Sequence, residues 1–251
     1  MTIFARILLL LPIVMAGCSP AASTSLDGRA FLSTAVTING QAHDLVPGTR
    51  IRITFSDGQL GASAGCNMLG GTYTFADGQL LVSDLSTTEM GCDPDRHAQD
   101  EWLSAFLGSR PMVTLNGNNL ELASPGAAIS LLDREVADPD LPLVGPTWTV
   151  ESIISGDAVS SVSLLATIAF QADGRVTLNT SCNSGGGQYV ATGDTLRFSD
   201  LVTTKRDCEA PAGDVETAIL RVLQAETVSY RIEAGSLTLN AGGFGLQLTG
   251  R

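Results

Sequence analysis

Two short stretches gather residue types that do chemistry. Gly65-Cys66-Asn67 runs into Gly70, Gly71 and Tyr73, and the order returns at Cys182-Asn183, Gly186, Gly187 and Tyr189. A cysteine beside an amide and glycines can serve as a nucleophile, a metal ligand, part of a phosphate cradle or a structural corner. Each role demands partners. A thiol nucleophile needs a base, yet His43 and His97 are the only histidines and both lie in the first half. Structural zinc takes four Cys or His ligands, whereas each half offers one cysteine pair, Cys66 with Cys92 or Cys182 with Cys208. A Walker phosphate loop carries Gly-Lys-Ser/Thr, and the sole lysine, Lys205, is remote from both glycine runs.

Two further motifs need weighing. Residues 61–65 spell the Gly-x-Ser-x-Gly of a hydrolase nucleophile elbow centred on Ser63. That elbow works between a strand and a long helix; here more glycines and a strand follow, and Asn179 holds the corresponding place in the second half. The acids between Cys92 and Glu101 lack the alternating spacing and glycine of a calcium loop. They suit the first turn of a helix. No catalytic, cofactor-binding or metal residue is therefore expected, and a serine hydrolase through Ser63 is the remote alternative.

The motif belongs to a longer repeat. An offset of 116 residues superimposes Cys66 to Cys92 on Cys182 to Cys208 with 12 identities in 27 positions. Composition alone gives roughly one or two. A period this long marks two copies of a domain, since solenoid units run about 20–50 residues. Both cysteine pairs are 26 apart. In an oxidising compartment, one disulfide per copy is the economical reading, with two buried free thiols as the alternative.

Short strands dominate each copy. Residues 50–55 and 71–75 are rich in β-formers, and Asp-Gly at 57–58 and 77–78 marks tight turns. Residues 111–124 and 227–240 read as hairpins. One helix per copy follows the second cysteine. Asp93-Pro94 supplies a cap and a first-turn proline, and Ala98, Trp102, Leu103, Phe106 and Leu107 form an apolar face ending at Gly108. Val215, Ile219, Val222 and Leu223 repeat that spacing. The fold expected is mainly β (α+β): two tandem small antiparallel β domains, each with one packed helix and one disulfide.

Residues 1–17 carry Arg6, an apolar run from Ile7 to Met15 and then small residues, as in a bacterial secretory signal. Met15-Ala16-Gly17-Cys18 fits a lipobox with Cys18 as the lipidated residue, and residues 18–25 read as a tether. Ser19 after that cysteine favours the outer membrane, facing the periplasm. The domains expected are 26–134 and 143–251, joined by a linker at 135–142. Formal charge is −12, which opposes nucleic-acid binding and leaves membrane attachment to the lipid.

Taken as a set, the motif resembles the META domain family, the HslJ-like heat-shock and envelope lipoproteins. Copy one carries Cys66-Asn67, Gly71, Tyr73, Thr87, Thr88, Cys92 and then Glu101; copy two carries Trp148, Cys182-Asn183, Gly187, Tyr189, Thr203, Thr204, Cys208 and then Glu216. Phe31 stands where copy one would have the early Trp, and Ser181 replaces the glycine before the second Cys-Asn. The resemblance implies a compact antiparallel β fold in the cell envelope, with links to heat shock, novobiocin resistance, motility and virulence. It brings no agreed catalytic residues. Asn67, Gly71, Tyr73, Thr88, Asn183, Gly187, Tyr189 and Thr204 are expected to be structural. The expected function is a non-enzymatic, lipid-anchored protein supporting outer-membrane integrity or stress tolerance. A binding or pilot-type module for an envelope protein or hydrophobic ligand is the alternative.

Overall fold

The computed structural model describes residues 25–251; the signal segment and Cys18 lie outside them. The chain divides into two compact units, one ending at Leu132 and the other beginning at Asp133. The first contains β1 (Arg29–Ile38), β2 (Gln41–Ala42), β3 (Arg52–Ser56), β4 (Gln59–Ser63), β5 (Met68–Ala76) and β6 (Gln79–Thr87). Helix α1 (Pro94–Gly108) follows, then β7 (Met112–Asn116), β8 (Asn119–Ser124) and β9 (Ala127–Asp133). Successive strands pair antiparallel, and β1 pairs with β9 to close the sheet into a barrel. Strand β1 gives its first half to β3 and its far end to the short β2.

Local sequence dictates much of this. In β3 and β4, Ile53, Phe55, Leu60 and Ala62 point inward with the strand period of two. Asp57-Gly58 and Asp77-Gly78 all have positive φ, as a two-residue hairpin turn matched to strand twist requires. Helix α1 starts as its sequence dictates: the Asp93 side chain accepts from the Arg96 N–H, and Pro94 enters the first turn. It joins β6 to β7, whose pairing is reduced to Gln79 with Met112, and buries Leu103, Phe106 and Leu107 in the barrel core. Trp102 is half-buried and stacks on Phe106. Ala98, expected on the apolar face, is exposed; Gln99 and Asp100 are buried in its stead.

The second unit repeats the plan with β10 (Thr147–Ser155), β11 (Ala158–Ser161), β12 (Thr167–Phe170), β13 (Arg175–Asn179), β14 (Ser184–Thr192) and β15 (Thr195–Thr203). After these come a helix at Ala212–Leu223, then β16 (Val228–Glu233), β17 (Ser236–Ala241) and β18 (Phe244–Gly250), with β10–β18 closing the barrel. Val215, Ile219, Val222 and Leu223 are all buried. Trp148 is fully buried and donates its indole N–H to the Leu143 carbonyl. Phe31, in the matching strand of the first unit, is equally buried and pairs with Ile53 as Trp148 pairs with Ile168.

One expectation needs correction. Besides α3 (Ala212–Leu223), the second unit has a short helix α2 (Arg134–Ala137) that overlaps the start of the 135–142 segment, so it holds more than the one helix expected. The Asp133 carboxylate caps α2 by accepting from the Glu135 N–H. The Arg134 guanidinium donates to Asp140, which also accepts from the Ala234 N–H at 2.7 Å, and Leu141 packs on the second core. Short polar stretches with Pro read as linkers, but Asp140 has a partner, Ala234, that lies far off in sequence.

Partial burial pushes the Asp140 carboxyl upward, yet the hydrogen bonds from Arg134 and Ala234 prevail and hold it below the usual carboxylate range. A depressed folded value means that the stabilisation is complete above the unfolded value, about 3.9, and fades as pH falls through the folded one. Asp140→Asn should therefore unfold at a lower temperature than the wild type at pH 6. The gap should close as the pH drops below about 4, which melting curves of the two proteins across pH 2–7 would read directly.

Candidate functional site

Cys66 sits in the corner between β4 and β5, and Cys92 lies just before α1. They form a disulfide with a Cα–Cα distance of 6.3 Å; Cys182 and Cys208 do the same at 6.1 Å, between the β13–β14 corner and the approach to α3. The disulfide expectation holds in both units. Closing a loop of this length stabilises by about 3–4 kcal/mol on the chain-entropy account.

The neighbouring asparagine ties the same segments together again. The Asn67 side-chain oxygen accepts from the Thr88 hydroxyl at 3.0 Å and the Met90 N–H at 2.8 Å. Asn183 accepts from Thr204 at 2.6 Å and the Arg206 N–H at 2.9 Å. On the other side, Asn183 Nδ2 donates to Glu216 Oε2 at 2.8 Å, and Asn67 Nδ2 donates to Asp100 Oδ2 at 3.2 Å. Both asparagines are only 5% exposed. One amide thus links the strand corner, the end of a hairpin strand and the helix.

The copies differ in how they satisfy the rest of the corner. Asp100 Oδ2 also accepts from the Asn67 backbone N–H at 2.7 Å, a bond that Thr180 Oγ1 accepts from Asn183 at 3.0 Å. Gln99 of the first copy is buried and donates to the carbonyl of Ala64, where the second copy has the buried Val215 and Thr180 at the corresponding positions. Ser181 takes φ +71° where Gly65 has +129°. A Cβ on Gly65 would strike Thr49 Cγ2 at 2.5 Å, whereas Ser181 fits with its N–H donated to Asn179 Oδ1 at 3.0 Å.

The glycines serve close backbone approach. Pairing slips after Gly70 on β5 and after Gly186 on β14, opposite Asp84 and Asp200 in left-handed conformation at φ +54° and +55°. These are β-bulges. A Cβ on Gly71 would lie 2.7 Å from the Ser83 carbonyl oxygen, and one on Gly187 2.6 Å from that of Ser199. The tyrosines anchor the hairpins: Tyr73 packs edge-on against Phe55 and donates to Asp27 at 3.2 Å, and Tyr189 packs edge-on against Phe170 and donates to the Gln171 carbonyl at 2.9 Å. Burial chiefly, then the bond to Asp27, pushes the Tyr73 phenol above its ordinary value.

The acid assigned to copy one is corrected. Glu101 is exposed, and Asp100 meets the asparagine. The 116-residue offset that aligns the cysteines places Asp100, not Glu101, on Glu216, and that was the available signal. Ser63 ends β4 and pairs with Arg52 and Met68 within the sheet. Among the described residues, two clusters bring possible metal ligands within 4.8 Å of one another, Cys66 with His97 and Asp100, and Cys182 with Cys208 and Glu216. Their sulfurs are spent in disulfides, and His97 Nε2 already accepts from the Cys92 N–H at 3.3 Å, so the donor sets fit a zinc ion poorly.

Crowding at the bulges makes a simple prediction. Gly71→Ala and Gly187→Ala should each destabilise by about 1–3 kcal/mol, because a carbonyl must move. Gly108→Ala, at a position with nothing within 4 Å of the added carbon, should be neutral or slightly stabilising. Urea midpoints of the three variants test this.

Comparison with known proteins follows the same halves. The model of the META domain matches residues 24–136 and again 141–249. No curated protein matches the chain. Among solved structures, an NMR structure of a protein from Burkholderia xenovorans is 22% identical, with a TM-score of 0.38, covering 49% of this chain and 98% of its own. A second NMR structure is 24% identical with a TM-score of 0.34, covering 43% of this chain and 90% of its own. The chain belongs to the META domain family, in two tandem copies.

Proposed function

We propose that this chain is a non-enzymatic, lipid-anchored protein of the bacterial envelope, held to the outer membrane through Cys18 with its two META barrels in the periplasm. There it supports membrane integrity or tolerance of heat and antibiotics. One observation carries the non-enzymatic reading: the residues repeated between the copies are occupied in structural bonds. Each motif cysteine is in a disulfide, and each motif asparagine is buried and hydrogen-bonded on both sides of its amide. The lipobox at residues 15–18 supports the anchor, and the paired disulfides suit an oxidising compartment.

The second reading is a binding or escort module for an envelope protein or a hydrophobic ligand. It is supported by the cleft of about 570 Å³ beside the first corner, whose lining includes Leu69, Met90 and Ala105. The two readings share an anchor and differ in whether a dedicated occupant exists.

Cys18→Ser should move the chain from the membrane fraction to the soluble one. Deletion of the gene should raise sensitivity to heat, detergent and novobiocin, and the Cys18→Ser form should fail to restore tolerance. Unchanged sensitivity after deletion would overturn the envelope role. Ser63→Ala should restore tolerance fully; failure by a folded Ser63→Ala protein would instead point to chemistry at that hydroxyl.

A further inference from the structure

The second unit leaves one strand edge open. Among the described residues β11 has only β10 as a strand neighbour, and all four of its residues are exposed, Val159 by 61%. In an antiparallel pair, hydrogen-bonded and non-hydrogen-bonded positions alternate. The Val162 N–H donates to the Glu151 carbonyl at 2.8 Å, so in the same register Ser160 and Ala158 also bond inward to β10. That aims the N–H and C=O of Val159 and Ser161 away from the sheet, with no strand beyond them among the described residues.

Edges of this kind are normally blunted by charge, proline or brevity. The first unit follows that rule. Its matching strand β2 has two residues and runs into His43, Asp44 and Pro47, and the loop is drawn onto α1, where the Val46 N–H donates to Gln99 Oε1 at 2.7 Å. Residues 158–166, by contrast, contain neither charge nor proline. A bare edge presents alternating backbone donors and acceptors, and another extended backbone satisfies them. We propose that β11 pairs antiparallel with β11 of a second copy of this chain, in a two-fold dimer centred on Ser160.

The residues suit this occupant. With Ser160 opposite its own counterpart, Val159 lies opposite the partner's Ser161, and the outward groups of both strands satisfy one another. Ala158 then meets the partner's Val162, and Asp157 faces the partner's Ser163 and no second acid. A chain of formal charge −12 thus meets its copy along a stretch that carries no charge. Four-residue strands bury far less than the roughly 1,200 Å² of a stable interface, so the association is weak and reversible. An isologous contact closes at two copies. The dimer goes beyond the envelope role and stands on this unit's edge alone.

Sedimentation equilibrium of the full chain in density-matched detergent, up to about 1 mM protein, tests it. A monomer–dimer equilibrium should appear, with a dissociation constant of about 0.1–1 mM and no larger species. Ser161→Pro removes an outward N–H and no bond to β10, and Val159→Lys sets like charges diagonally across the two-fold axis. Each should weaken dimerisation by about tenfold or more at an unchanged melting temperature. Ser160→Cys should cross-link to itself under mild oxidation, because non-hydrogen-bonded partners hold their Cα atoms about 4.5 Å apart. Asp157→Cys and Gln41→Cys should not. A monomer throughout, species larger than a dimer, undiminished association of both edge variants, or equally ready cross-linking through Asp157→Cys or Gln41→Cys would each overturn the proposal.

Discussion

Each barrel depends on one buried side-chain amide. A helix inserted between two strands of a closed sheet has only its own apolar face to hold it, and the strands it joins pair briefly, through Gln79 with Met112 in one unit and Thr195–Leu196 with Val228–Ser229 in the other. Asn67 and Asn183 fasten the helix to that seam. Their oxygen takes donors from the hairpin strand's exit, and their nitrogen finds a carboxylate on the helix. An asparagine is suited to this because one planar group offers both donor and acceptor edges. Left unpaired, each buried partner would cost about 1–3 kcal/mol, so the network is kept whole or lost together.

The disulfide acts on the same junction by a different route. It restricts the unfolded chain, whereas the asparagine bonds stabilise the folded one. Around them, the two copies exchange parts that compensate one another. Gln99 and Ala64 are replaced by Val215 and Thr180, and the Thr180 hydroxyl donates to the Asn183 carbonyl and accepts from its N–H. What persists through these exchanges is the Cys-Asn corner, the crowded glycine at the bulge and the acid on the helix. What diverges is the segment beside them, where Glu89 and Met90 of one copy face Lys205 and Arg206 of the other. Scaffold and neighbouring surface thus vary independently within a single chain.

Features set by adjacent residues were legible in the sequence: the Asp-Gly turns, the Asp93-Pro94 start, the buried stripe of α3 and the equal cysteine spacing. Features set by distant partners were not. Closure of β1 on β9 joins the two ends of a domain and leaves no local mark. Gln99 and Asp100 fall outside the expected buried face because nothing nearby in sequence announces Ala64, Thr49 or Asn67 as their partners. The resemblance assigns the family's acid to Glu101, yet successive helical residues differ by about 100° around the axis. Asp100 shares a face with Leu103 and Leu107, as Glu216 does with Ile219 and Leu223. Residues 135–142 read as linker because nothing nearby in sequence announces the distant Ala234 as a partner of Asp140.

If the asparagine corner holds helix to barrel, its bonds must be energetically coupled to the helix acid. A double-mutant cycle on Asn183→Ala and Glu216→Ala, read by urea unfolding with the disulfide intact, measures that coupling. The account predicts an interaction of about 1–3 kcal/mol, with the double variant less destabilised than the sum of the single ones. Strict additivity, with each substitution costing the same whether or not the other is present, would contradict it.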